Sequence, residues 1–345
     1  MISRPAADRI IRLAILGALL TACTSTAPGR WKENELFWPP APAQARITFV
    51  TAISRPEDLG IGKGFFQWLS EVFTGEAANQ LVKPMAVTVT EDNIVFVADP
   101  GVEGVHRFNP GHSEYHLIRR EGNKPLPSPV ALAIGANGQV YVSDSQLDTV
   151  FRIDPGSEFA TPLALKATLK HPTGLAWLNE SGQLLVVDTW SHDIKVFNAD
   201  GSLYGTLGKR GEAPGQFNYP THIWPYNEEH LLVTDSLNFR VQIVDYQGNF
   251  IHAFGQQGNA SGNLSRPKGI AADQQGHIYV VDALLHAMQI FDAQGQLLLP
   301  VGHQGSGAGE FWLPAGIFID KQNMIYIADS YNKRILVFRY LGDTT

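Results

Sequence analysis

The chain writes one aspartate-marked unit six times, and a repeat of that length admits few architectures. Aligned on the aspartate, the copies run Pro84…Asp99…Phe108, Pro129…Asp144…Ile153, Pro172…Asp188…Phe197, Pro220…Asp235…Val244, Pro267…Asp282…Phe291 and Pro314…Asp329…Phe338. The proline precedes the aspartate by fifteen residues in every copy but the third, where the gap is sixteen. An apolar residue follows nine positions later in all six, and successive aspartates lie 44 to 47 residues apart. Each unit is therefore a whole supersecondary block, of the kind that builds propellers, solenoids and arrays.

The sixth copy, PAGIFIDKQNMIYIADSYNKRILVF over residues 314–338, shows what the block contains. Its runs IFI, MIYIA and ILVF alternate with period 2, which marks three half-buried strands separated by polar turns. Copies three, four and five continue into a fourth strand at residues 203–208, 250–255 and 297–302, and Gly-rich connections then lead to the next block. The sixth copy ends too close to Thr345 to complete a fourth strand. A lone strand at residues 46–53, RITFVTAI, can supply it through residues 47–52. Such a join closes the ring inside one blade and removes the exposed edges of an open array. The expected fold is all-β: a six-bladed propeller of four-stranded blades over residues 46–342, closed by the N-terminal strand.

Residues 1–22 read as a targeting segment. Arg4, Arg9 and Arg12 precede LAILGALLTA, an apolar run of ten that is too short to span a bilayer and suits a signal h-region. It ends at Leu20-Thr21-Ala22-Cys23, which resembles the bacterial lipobox, and Cys23 is the only cysteine of the chain. The resemblance implies an acylated Cys23 as the mature N-terminus, anchored in a membrane by several acyl chains. Thr24, where an aspartate would retain such proteins at the inner membrane, implies the periplasmic face of the outer membrane. Residues 23–45 follow as a Pro/Ala-rich tether. Trp31, Phe37 and Trp38 are unusual in a spacer and point to docking on the body or on a partner. Residues 64–74, GFFQWLSEVFT, break the β pattern. Phe65, Phe66, Leu69 and Phe73 fall at helical spacing with Trp68 beside them, which gives a short amphipathic helix that packs on the ring or meets a partner or membrane.

A formal charge of −7 offers no general counterion-release attraction to nucleic acid, so no nucleic-acid partner is expected. The pattern Pro-x-Gly-Ile followed by Ile-Tyr-Val-Ala-Asp-Ser-x-Asn-x-Arg-Ile resembles the NHL repeat, most clearly in residues 314–338 and 267–291 and in LLVTDSLNFRVQIV. Taken with the signal segment, the WPP tether and the aromatic helix, the chain resembles bacterial six-bladed NHL lipoproteins. That resemblance implies the fold, and it carries no defined activity.

A residue that every blade demands serves a need that every blade has, so the six aspartates read as turn acceptors and not as a catalytic set. Asn238-x-Arg240 and Asn332-x-Arg334 belong to the same turns. Function is sought where symmetry breaks. Two positions after the proline most copies carry a small residue (Ala86, Ala131, Gly174, Gly269, Gly316), whereas the fourth carries His222, with Trp224 close behind. Lys83, His171 and Arg266 immediately precede prolines, and Lys268 follows one. Together with His222 they outline a cationic channel mouth suited to a carboxylate, phosphate or sugar. Related propellers include zinc-dependent amidating lyases and calcium-bearing lactonases, but the third ligand of a zinc site is not visible, and no Ser-His-Asp spacing, nucleophile elbow or phosphate loop occurs. No catalytic, cofactor or metal residue is assigned, although a calcium or zinc ion at the channel stays open. The expected role is a scaffold for an envelope protein or a small polar ligand. The alternative is a metal-dependent hydrolase or lyase at the channel.

Overall fold

The computed structural model divides into two units, Met1–Lys32 and Glu33–Thr345, and describes residues 36–62 and 79–342, all within the second. Cys23 and the helix expected at residues 64–74, with Phe65, Phe66, Trp68, Leu69 and Phe73, lie outside the described residues.

Among the described residues, twenty-five strands are arranged as six blades. Two N-terminal strands come first, β1 (Phe37–Trp38) and β2 (Ile47–Ile53). Blade 1 is β3 (Ala86–Val89), β4 (Val95–Asp99), β5 (Gly104–Asn109) and β6 (Glu114–Arg120). Blade 2 is β7 (Pro129–Ile134), β8 (Val140–Asp144), β9 (Thr149–Ile153) and β10 (Phe159–Pro162). Blade 3 is β11 (Pro172–Leu178), β12 (Gln183–Asp188), β13 (Asp193–Phe197) and β14 (Leu203–Leu207). Blade 4 is β15 (Pro220–Pro225), β16 (His230–Asp235), β17 (Arg240–Asp245) and β18 (Phe250–Phe254). Blade 5 is β19 (Pro267–Ala272), β20 (Ile278–Asp282), β21 (Ala287–Phe291) and β22 (Leu297–Val301). Blade 6 is β23 (Pro314–Ile319), β24 (Met324–Asp329) and β25 (Arg334–Tyr340), completed by β2, which pairs antiparallel with β25 from Ile47↔Tyr340 to Ile53↔Ile335. The N-terminal strand thus closes the ring as the sequence leads one to expect. Two outer strands that the sequence does not announce, β6 and β10, complete blades 1 and 2, and they pair with each other in parallel at Phe159↔Arg119.

The described apolar residues form six clusters, one at each blade interface. The cluster that shuts the ring packs Ile53, Ala328, Ile335 and Val337 of blade 6 against Val87, Val97 and Phe108 of blade 1. Burial of such surface is the main favourable term in folding, and a closed ring shares it among all its interfaces. Small residues near the start of the innermost strands allow close approach of one blade to the next. A Cβ on Gly174 would lie 2.7 Å from the His222 Cα, and one on Gly316 would lie 2.6 Å from the Met85 carbonyl oxygen.

Part of the expected tether belongs to the body. Phe37 and Trp38 add β1 as a fifth strand on blade 6. The Trp38 ring meets Phe338 edge-on at 5.8 Å and covers Gly309, where an added Cβ would lie 2.3 Å from the indole.

Candidate functional site: a channel with two unlike mouths

All six aspartates end a second strand and are fully buried. Each accepts a backbone N–H from the connection that enters its own blade: Val82 and Lys83 for Asp99, Ser128 for Asp144, Lys170 for Asp188, Asn218 for Asp235, Ser265 and Arg266 for Asp282, Trp312 for Asp329. Asp235 and Asp329 also hold Arg240 and Arg334 at 2.8 Å, and the guanidinium groups reach carbonyls of the Gly-rich connections. The set is scaffold.

Antiparallel register places the proline, the aspartate and the start of the third strand on one face of the ring, as in Pro220↔Asp235 and Asp235↔Arg240. The hairpins between first and second strands open on the other. On the proline face, the residue four after the aspartate takes positive φ in all six copies, and in three of them its side chain bonds the next blade. Asp148 accepts the His171 N–H at 2.7 Å, and the Nδ1 atoms of His192 and His286 accept the N–H groups of Tyr219 and Leu313 at 3.1 Å. A second link follows the aspartate directly: the hydroxyls of Thr189, Ser236 and Ser330 donate to the carbonyls of Pro220, Pro267 and Pro84. The sequence carries both signals, as a Ser or Thr after most of the aspartates and as a side-chain acceptor at a fixed offset.

Four of the five expected channel-mouth residues stand at this proline face. Lys83 and Arg266 are exposed, His171 stacks on Trp190 with centroids 4.5 Å apart, and Lys268 is half-buried at the start of β19. Burial, with Arg266 nearby, lowers the Lys268 ammonium below its ordinary pKa. His222 does not join them. It lines a chamber of about 960 Å³ that opens among the hairpins on the opposite face. The five residues therefore do not form one mouth. Trp224, two positions further along the same strand as His222, lines the same chamber.

The chamber is bounded by innermost strands of five blades and by hairpin residues Glu91, Asp92, Asn137, Asn179 and Asp320. Four residues after the proline, four copies carry Thr88, Ala133, Ala176 and Ala271, while the others carry Trp224 and Phe318. Those two rings meet edge-to-face at 5.9 Å across the blade between them, where fully buried Ala271 leaves room. Trp177 adds a third aromatic wall, stacked on Tyr141 at 5.3 Å. His222 Nδ1 and Trp177 Nε1 are both buried without a hydrogen-bond partner. Burial alone pushes the His222 imidazole down to about 4, so the ring is neutral near pH 7. Phe318, Trp177 and the acidic hairpins escape the sequence reading because it looks only at the start of the strand; the four-after-proline position marks two of the three aromatics.

The two faces differ in their charged residues. The hairpins carry Glu91, Asp92, Glu180, Glu228, Glu229 and Asp320, against Lys321, whose Nζ lies 2.5 Å from Glu91 Oε1. The proline face carries Lys83, Lys170, Arg266, Lys268 and Lys333 beside Glu103, Asp148, Asp193, Glu212, Glu310 and the six buried aspartates, and so holds both signs. Among the described residues no carboxylate of the kind that orients a general base bears on His222. Among the described residues no three His, Cys, Asp or Glu side chains converge as a metal site would require. No described helix is long and apolar enough to cross a membrane.

Residues 271–343 match a family model described as a 6-bladed beta-propeller, and residues 119–202 match that of the teneurin NHL domain. No curated protein matches the sequence. Among solved structures, the chain resembles virginiamycin B lyase from Staphylococcus aureus at 16% identity and a TM-score of 0.55, covering 75% of this chain and 96% of that one. It also resembles an auxiliary nutrient binding protein from Bacteroides thetaiotaomicron at 13% identity and a TM-score of 0.60, covering 76% and 71%. A similarly named protein from Bacteroides ovatus stands at 15% identity and a TM-score of 0.59, covering 76% and 70%. These likenesses establish the β-propeller fold, and the teneurin NHL match over residues 119–202 agrees with NHL-like repeats there.

Proposed function

We propose that this propeller is a binding protein of the cell envelope, held by a lipid on Cys23, that takes a small ligand in the chamber at its hairpin mouth. One observation carries the reading: a chamber of about 960 Å³ whose wall holds a buried imidazole nitrogen, His222 Nδ1, with no partner. Buried polar atoms are nearly always bonded, so an orphan on a residue of the chamber wall asks for an explanation that blade packing alone does not supply. A concave, largely apolar cavity with a few polar groups is the usual form of a ligand site. Names given to two of the similar structures, auxiliary nutrient binding proteins, agree with such a role. The periplasmic face of the outer membrane is the proposed location, and an envelope protein docking on the proline face is the second element of this role.

A thermal-shift screen with small amines, sugars and carboxylates tests the chamber. Hits are expected to raise the melting temperature of the wild-type protein and to lose that effect in His222→Ala and Trp224→Ala. A library without hits, or hits indifferent to both substitutions, would overturn it. For the anchor, Cys23→Ser is expected to move the protein from the membrane to the soluble fraction, and a variant that stays membrane-bound would contradict the lipid.

A further inference from the structure

The chamber's wall and rim favour one sign of ligand charge. Its charged wall residues are Glu91, Asp92, Asp320 and Lys321, and the one cation among them is already committed to Glu91 at 2.5 Å. Asp92 is exposed at the rim and has no protein partner among the described residues. Beyond the wall, the next hairpins carry exposed Glu180 and Glu228. Apart from Lys321, the cations named along the channel (Lys83, Arg266 and Lys268) stand at the other mouth, and His222 brings no positive charge. A cleft ringed by one sign of charge with low-dielectric walls concentrates the field and draws in the opposite sign. Trp177, Trp224 and Phe318 supply the complementary surface, since aromatic rings attract cations electrostatically and bury apolar groups. Without a converging cluster of metal ligands among the described residues, a bare metal ion finds no cage here, whereas an organic ammonium needs none.

We infer that the chamber takes an organic cation, an ammonium-bearing ligand whose charge lies toward the acidic mouth and whose apolar body rests against Trp177, Trp224 and Phe318. The inference rests on the chamber being the ligand site, and it reverses the anionic ligand that the proline-face cations suggest.

Three probes of similar shape separate the possibilities: benzyltrimethylammonium, benzyl alcohol and benzoate, each titrated calorimetrically into the full-length protein. Benzyltrimethylammonium is expected to bind at least about tenfold more tightly than benzoate, the scale of one desolvated cation–π contact. Asp92→Lys, an exposed change that leaves the core untouched, is expected to weaken the cation and to favour benzoate. Trp224→Phe is expected to weaken the cation by less than Trp224→Ala. Benzoate binding as tightly as the cation, with Trp224→Ala abolishing both, would overturn the cation while leaving the chamber standing as the ligand site. Failure of all three probes to bind would remove both.

Discussion

Asp329 spends its carboxylate on the Trp312 N–H, Asn332 and Arg334, and none of it reaches solvent. Asp329→Ala would strand a nearly buried guanidinium, and the loss of one partner of a buried pair costs about 3–5 kcal/mol. A urea titration checks this, and a midpoint unchanged from wild type would contradict it. His192 behaves differently. It is buried, its Nδ1 must stay unprotonated to accept the Tyr219 N–H, and desolvation, assisted by Arg210 and opposed by Asp193 and Asp235, lowers its pKa. The unfolded ring titrates near the ordinary value of about 6.5, and the folded ring resists protonation below it. Stability from this residue is therefore complete above that value and is lost as pH falls toward the folded pKa. His192→Ala is expected to cost about 1 kcal/mol at pH 7.5 and to flatten the decline between neutral and mildly acid pH. His192→Asp is expected to keep the link, because Asp148 makes it in blade 2. The repeat shows at once that the aspartates are structural. It hides the histidines, which sit in only two copies and whose role shows only when the next blade's N–H is seen beside them.

At the scale of elements, β1 and β2 are where the ring is fastened. The sequence reveals β2 through an arithmetic deficit, since the sixth copy lacks the strand that the third, fourth and fifth possess. It reveals β1 poorly, because two residues amid prolines show no period. The packing of Trp38 over Gly309 and against Phe338 explains that aromatic residue of the tether, whereas Trp31 lies outside the described residues. Gly309 has φ of +74°, so Gly309→Ala strains the backbone and displaces the indole together. It is expected to lower the melting temperature by several degrees and to expose residues near 38 to limited proteolysis. Equal protease resistance in variant and wild type would contradict the docking. The parallel join of β6 to β10 was illegible because outer strands face solvent on one side and carry weak patterns, as the mostly exposed Phe159–Pro162 shows.

At the largest scale, the described residues form a ring whose hairpin face is acidic and bears the cavity, and whose proline face mixes both signs of charge and is studded with exposed Trp190, Tyr219, Trp312 and Tyr331. Fold and closure are legible from the sequence because they are repeated six times. The chamber is only partly so, because its wall draws a few residues from each of five blades, and only His222 and Trp224 stand out within one copy. The acidity of the hairpin face leads to a further expectation: ligand association at the hairpin mouth should slow with added salt, as steering between opposite charges does. Binding whose rate is indifferent to salt would contradict it. Where the ligand sits can be read directly by blocking each mouth in turn. In a Cys23→Ser background, Ile134→Cys puts a thiol on the chamber wall and Lys83→Cys puts one on the proline face. After each thiol is capped with a bulky maleimide, titration with benzyltrimethylammonium should fail for the Ile134→Cys protein and match wild type for the Lys83→Cys protein. Binding that survives the cap on the chamber wall and is lost with the cap on the proline face would place the site at the other end of the channel and contradict the account.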